Sequence, residues 1–437
     1  ESAPRTTVLL ALASEAAEKD PQKWRELPSY SRQRPRSGKI DAANFKIGTY
    51  AYAISGREIK TIKGQLTVAA GNEIPVVVQL EKGEGEDLGG RGGMGQFFDR
   101  MDKNKDGKLQ MDELPNAARR NFERVDTNKD GVISRGEDAA FMKRDRNRDQ
   151  AESAVFRELK NLDYVGSGNP RQALDLFLPK AKSGKARPLL VYIHGGGWRA
   201  GSKEGGLRRL LPYLETSGYA GASINYRLTS ESRWPTQIHD CKAAIRWLKA
   251  HAGEYGYDAG KIAVWGTSAG GHLVAMLGVC GDVPELEGKL GKHLDQTSGV
   301  ACVVNFFGPS NLLTMDDFPS TIKHSAANSP EGKLVGGALL DKKEIANSAS
   351  PVTHVSKPDA PMLLAHGTKD MLVPHNQSVD LAKRLKAAGV PAVFITLEGA
   401  GHGFRSEELQ RRVTAFLGRH LGGKETRISS ETISKGK

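Results

Sequence analysis

The chain has 437 residues, 38% hydrophobic and 26% charged, long enough for two or three folded units with at least one large core. Its 63 Lys and Arg against 51 Asp and Glu give a formal charge of +12, but the basic residues are scattered and no aromatic-interleaved basic stripe exists, so no nucleic acid is expected as a partner. Three cysteines (Cys241, Cys280 and Cys302) exclude a disulfide-dense scaffold, and no apolar run reaches the roughly 20 residues needed to cross a bilayer.

Residues 1–38 mix charge, Pro and Ser without a sustained period and read as a poorly ordered segment. Within them "TVLLALA" at 7–13, behind Arg5, is short for the apolar part of an export signal but has the composition of a stub of one. Residues 39–82 carry short β-branched runs between Gly- and Asn-containing turns, which predicts a small module of antiparallel strands. The stretch "GTYAYAISGREIKTIKGQLTVAAGNEIPVVVQLE" is similar to the closing strands of carboxypeptidase-regulatory-like or PEGA-type β-sandwich modules. Residues 83–95, rich in Gly and charge, read as a flexible linker.

Residues 96–142 contain "DKNKDGKLQMDE" at 102–113 and "DTNKDGVISRGE" at 126–137. Calcium takes many oxygen ligands and needs a sharp turn to gather them from one short segment. The first loop offers Asp102, Asn104, Asp106, the Lys108 carbonyl and a closing Glu113, with Gln110 acting through water and Gly107 making the turn. The second offers Asp126, Asn128, Asp130, the Val132 carbonyl, Ser134 and Glu137, with Gly131 at the turn. A solvated acidic turn has no reason to place Gly sixth and Glu twelfth twice. Both loops resemble EF-hands, and bound Ca2+ is the implied cofactor, structural in role. Only the 12 residues "LPNAARRNFERV" separate them, about three helical turns, so a single helix is expected to serve both, with Leu109 and Ile133 joining the loops in a short β contact. An opening switch, which needs independent helix pairs, is disfavoured. A third stretch from Asp145 has Asn147 and Asp149 but Gln150 where Gly is needed and Phe156 at the closing position, so residues 143–154 read as a charged linker.

From 155 to 422 strand-like runs ("LLVYIH", "GASINYRL", "IAVWG", "ACVVNFF", "MLLAHG", "AVFITLE") alternate with stretches of helical periodicity, which predicts an α/β fold with a doubly wound, mainly parallel sheet covered on both faces. "GTSAG" at 266–270 sits between such a strand and a helix, where a tight turn exposes Ser268. A lone serine is a poor nucleophile and needs a base and a group to orient that base. Asp370 follows "MLLAHG" and His402 follows "VFITLE", giving the order Ser, Asp, His with each residue just past a strand. "HGGGW" at 194–198 ends another strand and bares backbone amides. Gly196 and Gly197, with the Ala269 amide, are the expected oxyanion hole, while His194, Asp240 and Trp247 read as structural.

These motifs, with "INYRL" at 224–228 and Pro235, Asp240, Ala244, Trp247 and Leu248 in the following helix, resemble the hormone-sensitive-lipase-like and bacterial feruloyl/acetyl-xylan-esterase-like α/β-hydrolases over about three-fifths of the chain. The resemblance implies a serine carboxylic ester hydrolase that works through an acyl-enzyme without a catalytic cofactor. Its substrates would be short acyl or aryl esters, such as those on acetylated or feruloylated polysaccharide. A generic short-chain carboxylesterase is the second reading, and a calcium-binding scaffold carrying an inactive hydrolase is the third. Segments 281–298 and 311–345 are long enough to cover the site. A modular chain with calcium loops suits an extracytoplasmic location, with the N-terminal modules available to a tethering partner and residues 423–437 as a tail.

Overall fold

Four strands, Thr6–Leu12 (β1), Ser31–Gln33 (β2), Gly48–Gly56 (β3) and Ile59–Val68 (β4), form an antiparallel sheet in the order β2-β1-β3-β4. The computed structural model describes residues 6–12, 31–33, 48–56, 59–68, 98, 101–114, 122–141, 155–181 and 183–434. It divides into two units, Glu1–Asp149 and Gln150–Lys437.

The β3–β4 hairpin is the antiparallel pair expected from its β-branched runs, with Tyr50 opposite Leu66 and Ala53 opposite Lys63. Within residues 1–38, read as poorly ordered, the described residues 6–12 and 31–33 are instead strands: β1 pairs along its whole length with β3, from Thr6 opposite Gly56 to Leu12 opposite Tyr50, and its other edge takes β2. A seven-residue run is too short to display a period, yet its backbone groups are satisfied as soon as a sheet edge offers partners. The polar β2, "SRQ", carries no apolar signal at all, as befits an edge strand. The linker 83–95 and the strand expected in "EIPVVVQLE" lie outside the described residues, as does 143–154.

In the same unit Lys108–Leu109 (β5) pairs with Ile133–Ser134 (β6), Leu109 opposite Ile133 as the loop spacing requires. Phe98, Leu109, Leu114, Phe122, Val125 and Ile133 form a small core beneath the two loops. Of the expected shared helix, Phe122–Val125 is described.

The second unit is built on an eight-stranded sheet: Phe156–Asp163 (β7), Ala173–Pro179 (β8), Arg187–Ile193 (β9), Ala220–Ile224 (β10), Tyr257–Thr267 (β11), Cys302–Phe306 (β12), Met362–Gly367 (β13) and Ala392–Leu397 (β14). Their order is β14-β13-β12-β11-β9-β10-β8-β7. From β10 to β14 every pairing is parallel, whereas β8 runs antiparallel to both β7 and β10. Side chains alternate between two cores, as strand geometry demands. Leu189, Val191 and Ile193 of β9 join one, with Ile238, Leu273 and Leu381 from covering helices. Leu190 and Tyr192 join the other, with Leu210, Leu409 and Val413. Both faces are therefore covered, which is why the inner strands read as continuous apolar runs.

Two features anchor the unit's surface. Asp240 is fully buried and takes a bidentate Arg227 guanidinium (2.7 Å at its shortest), the Arg227 amide and the Gln172 side chain, the structural role expected of it. Removing one partner strands the other charge, so Asp240→Ala is expected to destabilise the second unit by about 3 kcal/mol in denaturant unfolding, and a loss under ~1 kcal/mol would contradict this account. The C-terminal tail is part of the fold: the Ile433 backbone bonds to Thr396 and Glu398 along the β14 edge, its side chain is buried, and Arg412 holds the carbonyls of Ser429 and Glu431. All three cysteines are buried and free. Among the described residues no helix is long and apolar enough to cross a membrane.

Candidate active site

Ser268 stands at the tip of β11, where the helix Ala269–Val279 begins. Its φ of 55° and ψ of −125° put a non-glycine residue in a region that L side chains rarely adopt, the strained turn that presents a nucleophile. The flanking glycines are sterically required. A β-carbon at Gly266 would collide with the Gly270 carbonyl, and one at Gly270 with the Ile193 carbonyl.

His402 lies in the loop after β14 and Asp370 in the loop after β13, and the structure brings both to Ser268. His402 Nε2 is 3.0 Å from Ser268 Oγ, and His402 Nδ1 is 2.7 Å from Asp370 Oδ2. An ionised carboxylate only accepts, so Nδ1 carries the proton and Nε2 offers its lone pair to the serine hydroxyl, the arrangement a general base requires. Asp370 Oδ1 accepts the amides of Leu372 and Val373, both at 2.9 Å. Burial acts to raise the Asp370 carboxyl, but hydrogen bonds from His366 and His402 outweigh it and hold the group well below the usual carboxylate range.

His366 is the site residue that sequence reading missed. Its Nε2–H is shared between the Val373 carbonyl (3.0 Å) and Asp370 Oδ2 (3.2 Å), and its Nδ1 accepts the Ser378 hydroxyl at 2.8 Å. It sits inside the apolar run "MLLAHG", where a buried histidine is ordinarily a packing residue. The one sequence signal was its place four residues before Asp370.

The glycine loop after β9 closes the other side. A β-carbon at Gly195 would come within 2.6 Å of the Thr267 carbonyl and 3.2 Å of Ser268 Cβ, so the loop backbone lies against the nucleophile turn. Gly196 and Gly197 have φ of 113° and 59°, and Trp198 continues at 54°. Ala269 opens the helix, so its amide has no intrahelical acceptor. His194 is structural as expected: it stacks on Tyr226 at 4.4 Å, its Nδ1 is 2.8 Å from the Gly195 carbonyl, and burial holds it neutral with a pKa of about 4. The segment 311–345 does reach the site. Pro330 packs 3.3 Å from where a Gly197 β-carbon would stand, and Ser320 and Thr321 donate to the Met371 carbonyl beside Asp370.

In the first unit both loops have the turn that cation binding needs, with φ of 76° at Gly107 and 85° at Gly131. Asp102 accepts the Gly107 and Asp106 amides, Asn104 accepts the Asp106 amide, and Asp106 accepts that of Lys108. Asp126, Asn128 and Asp130 repeat this with Gly131, Asp130 and Val132. The closing glutamates face backbone amides: Glu113 holds those of Lys103 and Gln110, and Glu137 those of Thr127 and Ser134. Among the described residues no three His, Cys, Asp or Glu side chains group closely enough to hold a metal by themselves, and the expected shells also draw on Asn104, Asn128 and the carbonyls of Lys108 and Val132. The donor chemistry nevertheless fits calcium. Every candidate donor is an oxygen, and Asp126 Oδ1 is buried without a hydrogen-bond partner, a cost that a cation would remove. The Ser134 amide, working against burial and aided by the Ser134 hydroxyl and the Thr127 and Asn128 amides, lowers Glu137 to a pKa of about 2, so it is ionised at neutral pH.

A nucleophile elbow after β11, an orienting acid after β13 and a base after β14 define the second unit as an α/β-hydrolase. The BD-FAE family model matches residues 174–385, the EF hand model matches 94–115 and 120–137, and the chain belongs to the BD-FAE family with an EF-hand pair ahead of that domain. Among solved structures it is similar to a truncated form of a carbohydrate esterase from gut microbiota, at 32% identity and a TM-score of 0.58, covering 61% of this chain and 97% of that one. It is also similar to a bifunctional GH43-CE protein of Bacteroides eggerthii, at 30% identity and a TM-score of 0.56, over 61% of this chain and 38% of that one. Esterase LipC of Mycobacterium tuberculosis is 32% identical over 237 residues, 54% of this chain and 58% of that protein. The chain spans about half to three-fifths of the curated relatives it matches.

Proposed function

We propose that the protein hydrolyses carboxylic esters through an acyl-enzyme on Ser268 and that its substrates are short acyl or aryl esters on carbohydrate. The observation that carries this reading is the unbroken hydrogen-bond chain from Ser268 through His402 to Asp370 at a nucleophile elbow. His402 Nε2 takes the Ser268 proton as Oγ attacks the ester carbonyl, Asp370 stabilises the imidazolium, and the amides of Gly196, Gly197 and Ala269 receive the oxyanion. The imidazolium then protonates the departing alcohol. Water, deprotonated by the same imidazole, releases the acid and restores the serine.

The carbohydrate reading is supported by the likeness to the truncated carbohydrate esterase from gut microbiota. A generic short-chain carboxylesterase remains the second reading, supported by the curated relatives named simply as esterases. Rates on acetylated xylan, feruloylated oligosaccharide and simple aryl acetates separate the two. Higher kcat/KM on the carbohydrate esters supports the first, and activity confined to the aryl esters overturns it. The intact triad geometry counts against an inactive scaffold.

For the loop pair we propose a structural calcium role, an extracytoplasmic setting and a tethering partner on the first unit. Chelation with EDTA is expected to lower the thermal midpoint of the loop-pair unit while initial ester hydrolysis stays nearly unchanged. Collapse of activity at a temperature where the hydrolase fold persists would contradict a purely structural role.

A further inference from the structure

His272 is a fully buried histidine that the reaction does not use. It lies on the helix that Ser268 opens, one turn along, with its amide bonded to the Ser268 carbonyl at 2.9 Å. Its Nδ1 is 3.2 Å from the indole Nε1 of Trp198, and its Nε2 is 2.6 Å from the Ala349 carbonyl. An indole nitrogen only donates and a carbonyl only accepts, so both contacts are made at once by one form of the ring alone, neutral with its proton on Nε2. Burial, against the pull of the Ala349 carbonyl, holds the ring in that neutral form with a pKa of about 4.

Trp198 is the residue that follows the glycines of the oxyanion loop. It is buried, and its backbone φ of 54° is one that a β-carbon disfavours, so something must hold it there. Two contacts do. Its carbonyl accepts the Thr229 amide at 2.9 Å, and its indole donates to His272 with the rings edge-on at 5.1 Å. The motifs "HGGGW" and "GTSAGGHL" are thus joined through their last polar side chains, so the loop bearing Gly196 and Gly197 is referenced directly to the helix bearing Ser268 and Ala269.

Resting on the esterase reading above, we propose that His272 is a positioning residue for the oxyanion hole: by fixing the Trp198 indole it sets where the Gly196 and Gly197 amides lie relative to Ser268 Oγ. Its effect falls on the charged transition state rather than on the bound ester. Trp198→Phe removes the indole N–H and keeps a ring. On an aryl acetate its kcat is expected to fall about tenfold to a hundredfold with KM within about threefold, the scale of a misplaced catalytic group. His272→Leu is expected to match it, His272→Gln, which retains an acceptor and a donor, to lose less, and the double variant to lose no more than the worse single one. The Ki of a trifluoromethyl ketone, whose tetrahedral adduct needs the same amides, should rise in step with the loss in kcat/KM, which a merely structural role would not require. Trp198→Phe with kcat within twofold of the parent, a rise in KM alone, or losses that multiply in the double variant would overturn the inference while the esterase reading stands. A wild-type protein inert toward every ester in the panel would overturn that reading, and the inference with it.

Discussion

Ser268→Ala is expected to leave a folded protein with kcat reduced about 10⁶-fold, since the nucleophile of such a triad acts as a unit with its base. The structure gives the reason. The strained turn, the two sterically required glycines and the 3.0 Å approach of His402 all serve to present one oxygen atom. Alanine keeps the β-carbon and the packing, so the circular dichroism spectrum and thermal midpoint should match the parent. Residual turnover above about one part in a thousand would mean that another group attacks the ester.

The second large effect belongs to Asp370. Asp370→Asn is expected to lower kcat about 10⁴-fold with KM little changed, because an amide in that place can donate to His402 Nδ1 and force the proton onto Nε2, where the base must be free. His366 and the amides of Leu372 and Val373 hold the side chain, so its position should persist. Because the folded-state pKa of Asp370 is depressed, its stabilising effect is complete above the ordinary carboxylate value and is lost only as pH falls through the lowered one. Loss of activity on mild acidification is therefore not expected to come from Asp370. A kcat for Asp370→Asn within tenfold of the parent would show that the carboxylate does not set the tautomer.

What the sequence disclosed and what it withheld follow from the range of the interactions. Ser268, Asp370 and His402 were legible because each lies just past an apolar strand in an order that one sheet topology explains. Leu109 and Ile133 were legible because their spacing within two like loops fixes a local pairing. His366 was not, since inside a buried strand a functional histidine and a packing one look alike. Trp198 and His272, 74 positions apart, meet only because the sheet sets β9 beside β11. The pairing of β1 with β3, and of Ile433 with the β14 edge, likewise depends on partners that no local pattern reveals.

The central claim is covalent catalysis at Ser268, and the most direct test is to trap the acyl-enzyme. Rapid acid quench of the wild-type protein with an aryl ester, followed by peptide mass spectrometry, is expected to place the acyl group on the peptide containing Ser268, with no such adduct in Ser268→Ala. Turnover without any adduct when deacylation is made limiting, or an adduct on a different residue, would contradict the account.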